Sequence, residues 1–442
     1  MLKFFFINHS RVRSFQFLSY SNPFFIHHRR NSVHVFVEKL STYPALISYR
    51  SKMHKRPCRG ISRLFSNPSS TETLAKNIDL LSPDDFLISM PKNLSPSSAN
   101  EFRNCPQSFL FQYLFGIKQP PNLSLAKGSI CHKSLELVFD LKPEERTLIN
   151  LQNILRKSWS KERLSKAYCH LFDEKQEEEG EPRRDIEAER VWGRSALKLL
   201  ENYFELEDSR LVPRPNPLER EVWVKSNLTL DSNNGVTGHS TSENPKSTNE
   251  SPTNTNESNT RLEDSFLVRG IVDRIDLIGI SPSSTALSKG DRIPKMALRI
   301  IDYKTGKAPN FKYSQKTNER IADENMWQLK IYALLIREMD ADGKKVGNLG
   351  KASGIDLRLL RLMYLTSEKG SAQNLDMDLG STQEERNVVL QKVHSDLSEI
   401  WRNISTLVEK QDPKAFVHCD RSWCHCHRVR PKFMKGTLWE KS

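Results

Sequence analysis

The stretch that decides the fold is Arg299-Ile300-Ile301-Asp302-Tyr303-Lys304-Thr305-Gly306-Lys307. Its β-branched and aromatic residues read as a strand over 296–304, and Thr305-Gly306 suits the turn that ends it. Side chains alternate between the two faces of a strand. Asp302 and Lys304 therefore point one way, and Ile301 and Tyr303 the other. A carboxylate and an ammonium side by side at a strand end can hold a metal ion and flank the water it activates. Alone, Asp-x-Lys describes an exposed ion pair just as well. The flanking sequence has to decide.

Upstream, Arg269-Gly270-Ile271-Val272-Asp273-Arg274-Ile275-Asp276 reads as part of a strand over 266–278 that pairs beside the first. Farther back, Gly128-Ser129-Ile130-Cys131-His132-Lys133-Ser134-Leu135-Glu136 places His132 and Glu136 one turn apart on a helix over 125–141. Downstream, Gln328-Leu329-Lys330-Ile331-Tyr332 repeats that spacing on a helix over 324–339. A lone helical His, or a Gln/Tyr pair, is ordinarily surface or core. The order of the four is what carries information.

The remaining pattern alternates helices and strands. Residues 94–117 are helical with a break at Pro106, and 186–206 form an amphipathic helix with Val191, Leu197, Leu200 and Phe204 near one face. Strands are expected over 221–230 and 357–365. A long helix is expected over 382–410, carrying Val389, Val393, Leu397, Ile400, Ile404 and Leu407. Between the first two strands, 23 of the 29 residues 232–260 are Ser, Thr, Asn, Gly or Pro. Such a segment cannot bury enough surface to order itself and reads as a disordered extension of a hairpin loop. A second loop spans 281–295.

With 442 residues, 37% of them hydrophobic, the chain is long enough for one large or two ordinary domains. No stretch approaches the ~18 apolar residues of a membrane span, so no membrane partner is expected. Of the net charge of +13, the first 71 residues carry +11, with twelve Lys/Arg and one acid, Glu38. The body is close to neutral, so its overall charge says nothing about nucleic acid. Residues 1–70, rich in Arg, Ser and Phe and poor in acid, have the composition of a mitochondrial or chloroplast transit peptide. The alternative is a disordered basic arm that binds nucleic acid. Seven cysteines in so long a chain do not make a secreted disulfide scaffold.

The four motifs resemble those of the RecB-like nucleases of the PD-(D/E)xK superfamily, the family of the RecB and AddB C-terminal nucleases and exonuclease V. Leu94-Ser95-Pro96-Ser97, Phe102, Cys105-Pro106, Phe109 and Tyr113 match the family's leading helical segment. The resemblance covers residues 94–430, within a nuclease domain expected over 78–433. It implies an α/β fold: a restriction-endonuclease-like central mixed sheet flanked by helices, with helical N- and C-terminal additions. Carried over residue by residue, His132, Asp273 and Asp302 match the metal ligands, joined by the Tyr303 carbonyl. Lys304 matches the catalytic lysine, acting with Asp302 and Asp273. Gln328 and Tyr332 match the residues that shape the site and bind the DNA strand, and Glu136 a supporting residue. Two carboxylates, a carbonyl and an imidazole suit Mg²⁺ or Mn²⁺.

The implied activity is a metal-dependent DNA nuclease, exonuclease-like, in organellar DNA repair, recombination or maintenance. It would act on single strands or duplex ends. No GxxxxGK[ST] phosphate loop occurs, so any helicase would be a separate chain. The competing readings are an inactive nucleic-acid-binding protein on the same fold and a structural zinc protein, and the motifs do not separate DNA from RNA. In the family, one leading Cys and three near the C-terminus hold a [4Fe–4S] cluster. Cys105, Cys419, Cys424 and Cys426 stand in those places. The spacing departs from the family's: here it is C-x4-C-x-C, and Arg430 stands where a final Cys is expected. A Cys/His zinc site, or no metal, are the alternatives.

Overall fold

The computed structural model describes residues 87–173, 184–208, 210, 215, 217–230, 265–280, 295–344, 347–352, 354–367 and 370–434. The basic segment 1–70, the expected start of the folded part near residue 78 and the insert 232–260 lie outside the described residues.

Among the described residues one mixed sheet has the order β1 (Pro217–Thr229), β2 (Ser265–Ile280), β3 (Lys295–Lys307), β4 (Leu357–Thr366), β5 (Gln373–Asp378). β3 and β4 are parallel and the other neighbours antiparallel. The helices in chain order are α1 (Pro96–Asn104), α2 (Pro106–Phe109), α3 (Leu123–Leu137), α4 (Leu148–Glu162), α5 (Ile186–Leu206), α6 (Gln315–Ala341), α7 (Gln383–Glu409) and α8 (His425–Met434). A parallel pair needs a crossover connection, and α6 supplies it between β3 and β4.

β3 and β4 are buried on both faces, which is why they read as nearly continuous apolar runs. Ile300, Leu360 and Leu362 join one core with Leu329 and Ile336 of α6 and Leu397 and Ile404 of α7. Ile301, Tyr303, Met363 and Leu365 join a second core with Ile130, Leu155, Leu199 and Tyr203 of α3, α4 and α5. Alternation along the strands thus separates the two layers, as the Ile301/Asp302/Tyr303 pattern requires.

Local signals fix the helix starts. Ser95 and Ser98 form a capping box with Pro96 in the first turn of α1. Asn122 caps α3 through Leu125 N, and Thr382 forms a capping box with Glu385 on α7. Pro106 ends α1 and opens α2, which runs on as a π-helical turn, Leu110–Leu114. Three elements go beyond the sequence reading. α4 buries Leu151, Leu155 and Trp159. β5 is an edge strand whose Asp376 and Asp378 pair with Arg361 and Arg358 of β4. α8 carries Cys426 near the chain's end. In addition, β1 starts at Pro217 and α6 at Gln315, earlier than expected: a proline and a register shift interrupt the first residues of β1, and the first turns of α6 are mostly polar.

Candidate active site

The site lies where β2 and β3 part. They pair from Ile280↔Lys295 as far as Arg274↔Ile301 and then diverge. At that point Asp273 Oδ2 accepts the Tyr303 N–H at 2.9 Å, so a side chain replaces the next bond of the ladder. The same oxygen is 3.2 Å from Nδ1 of His132 on α3. His132 also stands edge-on to the Tyr303 ring, with centroids 5.9 Å apart. Gly128, one turn before His132, lets α3 come this close: a Cβ there would sit 3.3 Å from Thr305 Oγ1.

Asp302 and Lys304 project from the opposite face of β3, toward α6. The Lys304 ammonium donates to Gln328 Oε1 at 2.9 Å. Gln328 Nε2 donates to Asp302 Oδ1 and to the Tyr332 hydroxyl, each at 3.0 Å. The i,i+4 spacing of Gln328 and Tyr332 puts both on the α6 face that covers β3. Gly270 completes the fit, for a Cβ there would lie 2.5 Å from Tyr332 Cε1. The structure therefore joins all four sequence motifs through direct contacts. Glu136, by contrast, pairs with Lys133 at 2.6 Å.

One residue was missed by the sequence reading. Glu221 of β1 stands between the pairs Arg220↔Arg274 and Val222↔Val272, across from Asp273, with φ of 47°. This left-handed backbone costs a non-glycine residue about 1–3 kcal/mol and marks a strained, irregular point in β1. Nothing in Arg-Glu-Val announces such a turn. Burial pushes the Glu221 carboxyl up to about 7, helped by the charges of Asp273 and Glu136.

Electrostatics show an acid-rich site. Burial and the neighbouring Asp273 raise Asp302, with Lys304 and His132 opposing. Burial works against a charged His132, but Asp273 and Asp302 outweigh it and hold the imidazole at about 9. Asp302 Oδ2 is buried, and its partner is the Lys304 ammonium at 2.7 Å. Crowded carboxylates and an imidazole are a hard donor set that fits a divalent cation.

Beneath the site, Arg274 is 1% exposed and makes a two-pronged bond to Asp276, with both contacts at 2.7 Å. It also reaches Glu207, just past the end of α5, at 2.6 Å and the Tyr303 hydroxyl at 3.3 Å. Arg299 adds a second bond to Asp276 at 2.9 Å. This buried ion cluster fixes the strand that carries Asp302 and Lys304.

At the other end of the fold, Cys105, Cys419, Cys424 and Cys426 converge, with their sulfurs all within 4.8 Å of one another. The irregular C-x4-C-x-C spacing does not keep them apart, because α8 begins between the last two and turns Cys426 inward. Burial raises the Cys105 and Cys426 thiols, whereas hydrogen bonds from Arg421 outweigh the burial of Cys419 and bring it down to about 6. The nearby histidines have other partners: His425 meets Ile117 O at 2.9 Å, His427 meets Cys419 O at 2.6 Å, and His418 Nδ1 lies 3.2 Å from the Arg430 guanidinium. Cys131 is packed in the second core.

Residues 93–429 match the PD-(D/E)XK nuclease superfamily, a span that takes in every strand of the sheet and both clusters. No curated protein matches the chain. With the mixed sheet, the paired Asp302 and Lys304, and a match over most of its length, the chain belongs to the PD-(D/E)XK nuclease superfamily.

Proposed function

We propose that the protein is a divalent-metal-dependent deoxyribonuclease, exonuclease-like, that hydrolyses phosphodiester bonds during organellar DNA repair, recombination or maintenance. The observation that carries this reading is the contact chain Lys304–Gln328–Asp302 on β3 and α6, with the Asp273–His132 pair beside it. A protein that only bound nucleic acid would have no need of a half-buried lysine paired to a buried carboxylate and tied to the helix packed on the sheet.

In this reading Asp273, Asp302, His132 and the Tyr303 carbonyl hold Mg²⁺ or Mn²⁺. Such an ion lowers the pKa of a water and offsets negative charge growing on the scissile phosphate. Lys304 orients the attacking water and stabilises the same charge, its ammonium fixed by Gln328. Gln328 and Tyr332 keep Asp302 and Lys304 in register and face the DNA strand. As a ligand to such an ion His132 would be neutral, since a ligating imidazole must be deprotonated.

The test is cleavage of end-labelled single- and double-stranded DNA with Mg²⁺ or Mn²⁺. Asp302→Ala or Asp273→Ala should reduce cleavage by orders of magnitude in a folded protein, and Lys304→Ala by about 100-fold or more. An Asp302→Ala protein that cuts like wild type would show that this site is not the catalytic one.

For the cysteine cluster the family resemblance supports a [4Fe–4S] centre. One observation favours a second occupant. Four thiolates around a single tetrahedral zinc at ~2.3 Å lie about 3.8 Å apart, and Cys419 and Cys426 are 4.0 Å apart here. Metal analysis of anaerobically purified protein separates the two: about four irons per chain, or one zinc.

We place the protein in mitochondria or chloroplasts on the composition of residues 1–70. A fluorescent protein fused behind that segment should enter one of these organelles, and a diffuse cytosolic or nuclear signal would overturn the placement. We take the low-complexity residues 232–260 as an insert within a nuclease domain over 78–433, and any helicase as a separate chain.

A further inference from the structure

β1 and β2 continue past the active site. From Val222 and Val272 onward β3 no longer accompanies them, and the β2 edge it leaves is taken briefly by Leu94, which bridges Val268. One face of this two-stranded extension is covered: Val224, Leu228, Phe266 and Val268 are buried in the first core. The other face is open on β1, where Trp223, Lys225, Asn227 and Thr229 are all exposed.

On that open face the cross-strand pairs form a row. Glu221 stands across from Asp273, Trp223 pairs with Ile271, and Lys225 with Arg269. Trp223 is 51% exposed, and the Arg269 guanidinium lies 5.8 Å from its ring centroid. An indole of that size left to water is unusual on a strand whose other outward residues are polar. Two residues of strand rise place Trp223 about 7 Å beyond Asp273, the reach of the nucleotide next to the one at the metal site.

We propose that this face of the β1–β2 extension is a platform for single-stranded DNA leading to or from the active site. Trp223 stacks an unpaired base, and Lys225 and Arg269 take the phosphates beside it. The charge is complementary and the surface is continuous with the site itself. An indole can stack only a base that is free of its partner, so the platform selects single strands over intact duplex. The reading rests on the nuclease assignment above and adds to it the strandedness of the substrate and a track for it.

The experiment is fluorescence-anisotropy binding of a labelled oligodeoxythymidylate, with Ca²⁺ replacing Mg²⁺ to slow cleavage. Trp223→Ala should weaken binding about tenfold or more, the usual effect of losing one stacked base. Trp223→Phe, which keeps a ring, should recover most of it. Lys225→Glu with Arg269→Glu should weaken binding and flatten its salt dependence. All these side chains are exposed or half-buried, and circular dichroism checks the fold. Binding of Trp223→Ala within twofold of wild type overturns the platform, including the case where the insert 232–260 covers this face instead. If wild type cuts DNA but the variants bind normally, the platform fails and the nuclease reading stands. If binding depends on Trp223 but no metal supports cleavage, the nuclease reading fails and the platform stands.

Discussion

Gly270 and Tyr332 are 62 positions apart in the chain, yet one exists in its present form because of the other. The tyrosine ring occupies the volume that any side chain at 270 would need. Its hydroxyl accepts from Gln328, which in turn holds both Asp302 and Lys304. Gly270→Ala should therefore cost about 1–3 kcal/mol through overpacking and should also reduce DNA cleavage, because the displaced ring drags Gln328 with it. Adding Tyr332→Leu should restore stability but not the cleavage rate. Thermal unfolding and a cleavage assay of the two proteins check this. Sequence spacing made the placement of Asp302, Lys304, His132, Asp273, Gln328 and Tyr332 legible, since each sits in a motif whose period matches its element. Glu221 was illegible for a physical reason: its position depends on a positive φ that glutamate does not announce, and which only the surrounding strands impose.

Helices α4 and α5 are pinned by a single acid. Glu189 of α5 accepts from Trp159 and Arg163 of the α4 end and from Arg184, at 2.5–3.0 Å. Burial opposes its charge, but these donors win and hold the carboxyl at about 2 against an ordinary 4.5. The depressed value means stabilisation that is complete above pH 4.5 and disappears as pH falls toward 2. Its size at neutral pH is on the order of 2–3 kcal/mol. Glu189→Gln should lower the Tm at pH 7, and the gap to wild type should narrow as the pH drops from about 4.5 to 2; a pH series of melting curves measures it. At this scale the sequence was read well where apolar residues recur, as in α5, which runs over the expected 186–206. It was read poorly for β5, because Gln-Asn-Leu-Asp-Met-Asp has only two apolar residues, and its edge position is held by arginines on the neighbouring strand.

Across the described residues, the last segment is fastened to the first. Arg421 donates to Asn104 O at 2.7 Å, Gln107 N to Val417 O at 3.3 Å, and Gln411 exchanges bonds with the Ile88 backbone at 2.8 and 2.9 Å. The four cysteines lie in the same seam. Cys105→Ser should abolish metal uptake at the seam and lower the Tm by roughly 5 °C or more. The sheet site of this variant should still bind its own divalent cation, because among the described residues the cysteine cluster includes no active-site residue; metal analysis and melting curves together distinguish the two effects. Sequence placed the cysteines near both ends of the domain, but their convergence depends on α8, whose short polar stretch with an internal Pro431 carries little helical signal. Because the seam joins Cys105 to Cys419, Cys424 and Cys426, a ribosome must release the later cysteines before Cys105 and Phe111 acquire their lasting neighbours. A chain cut short before Cys419 would carry every group of the sheet site and yet leave Cys105, Phe111 and the floor of α2 facing water. Such a fragment would expose an apolar, thiol-bearing surface that the intact seam covers.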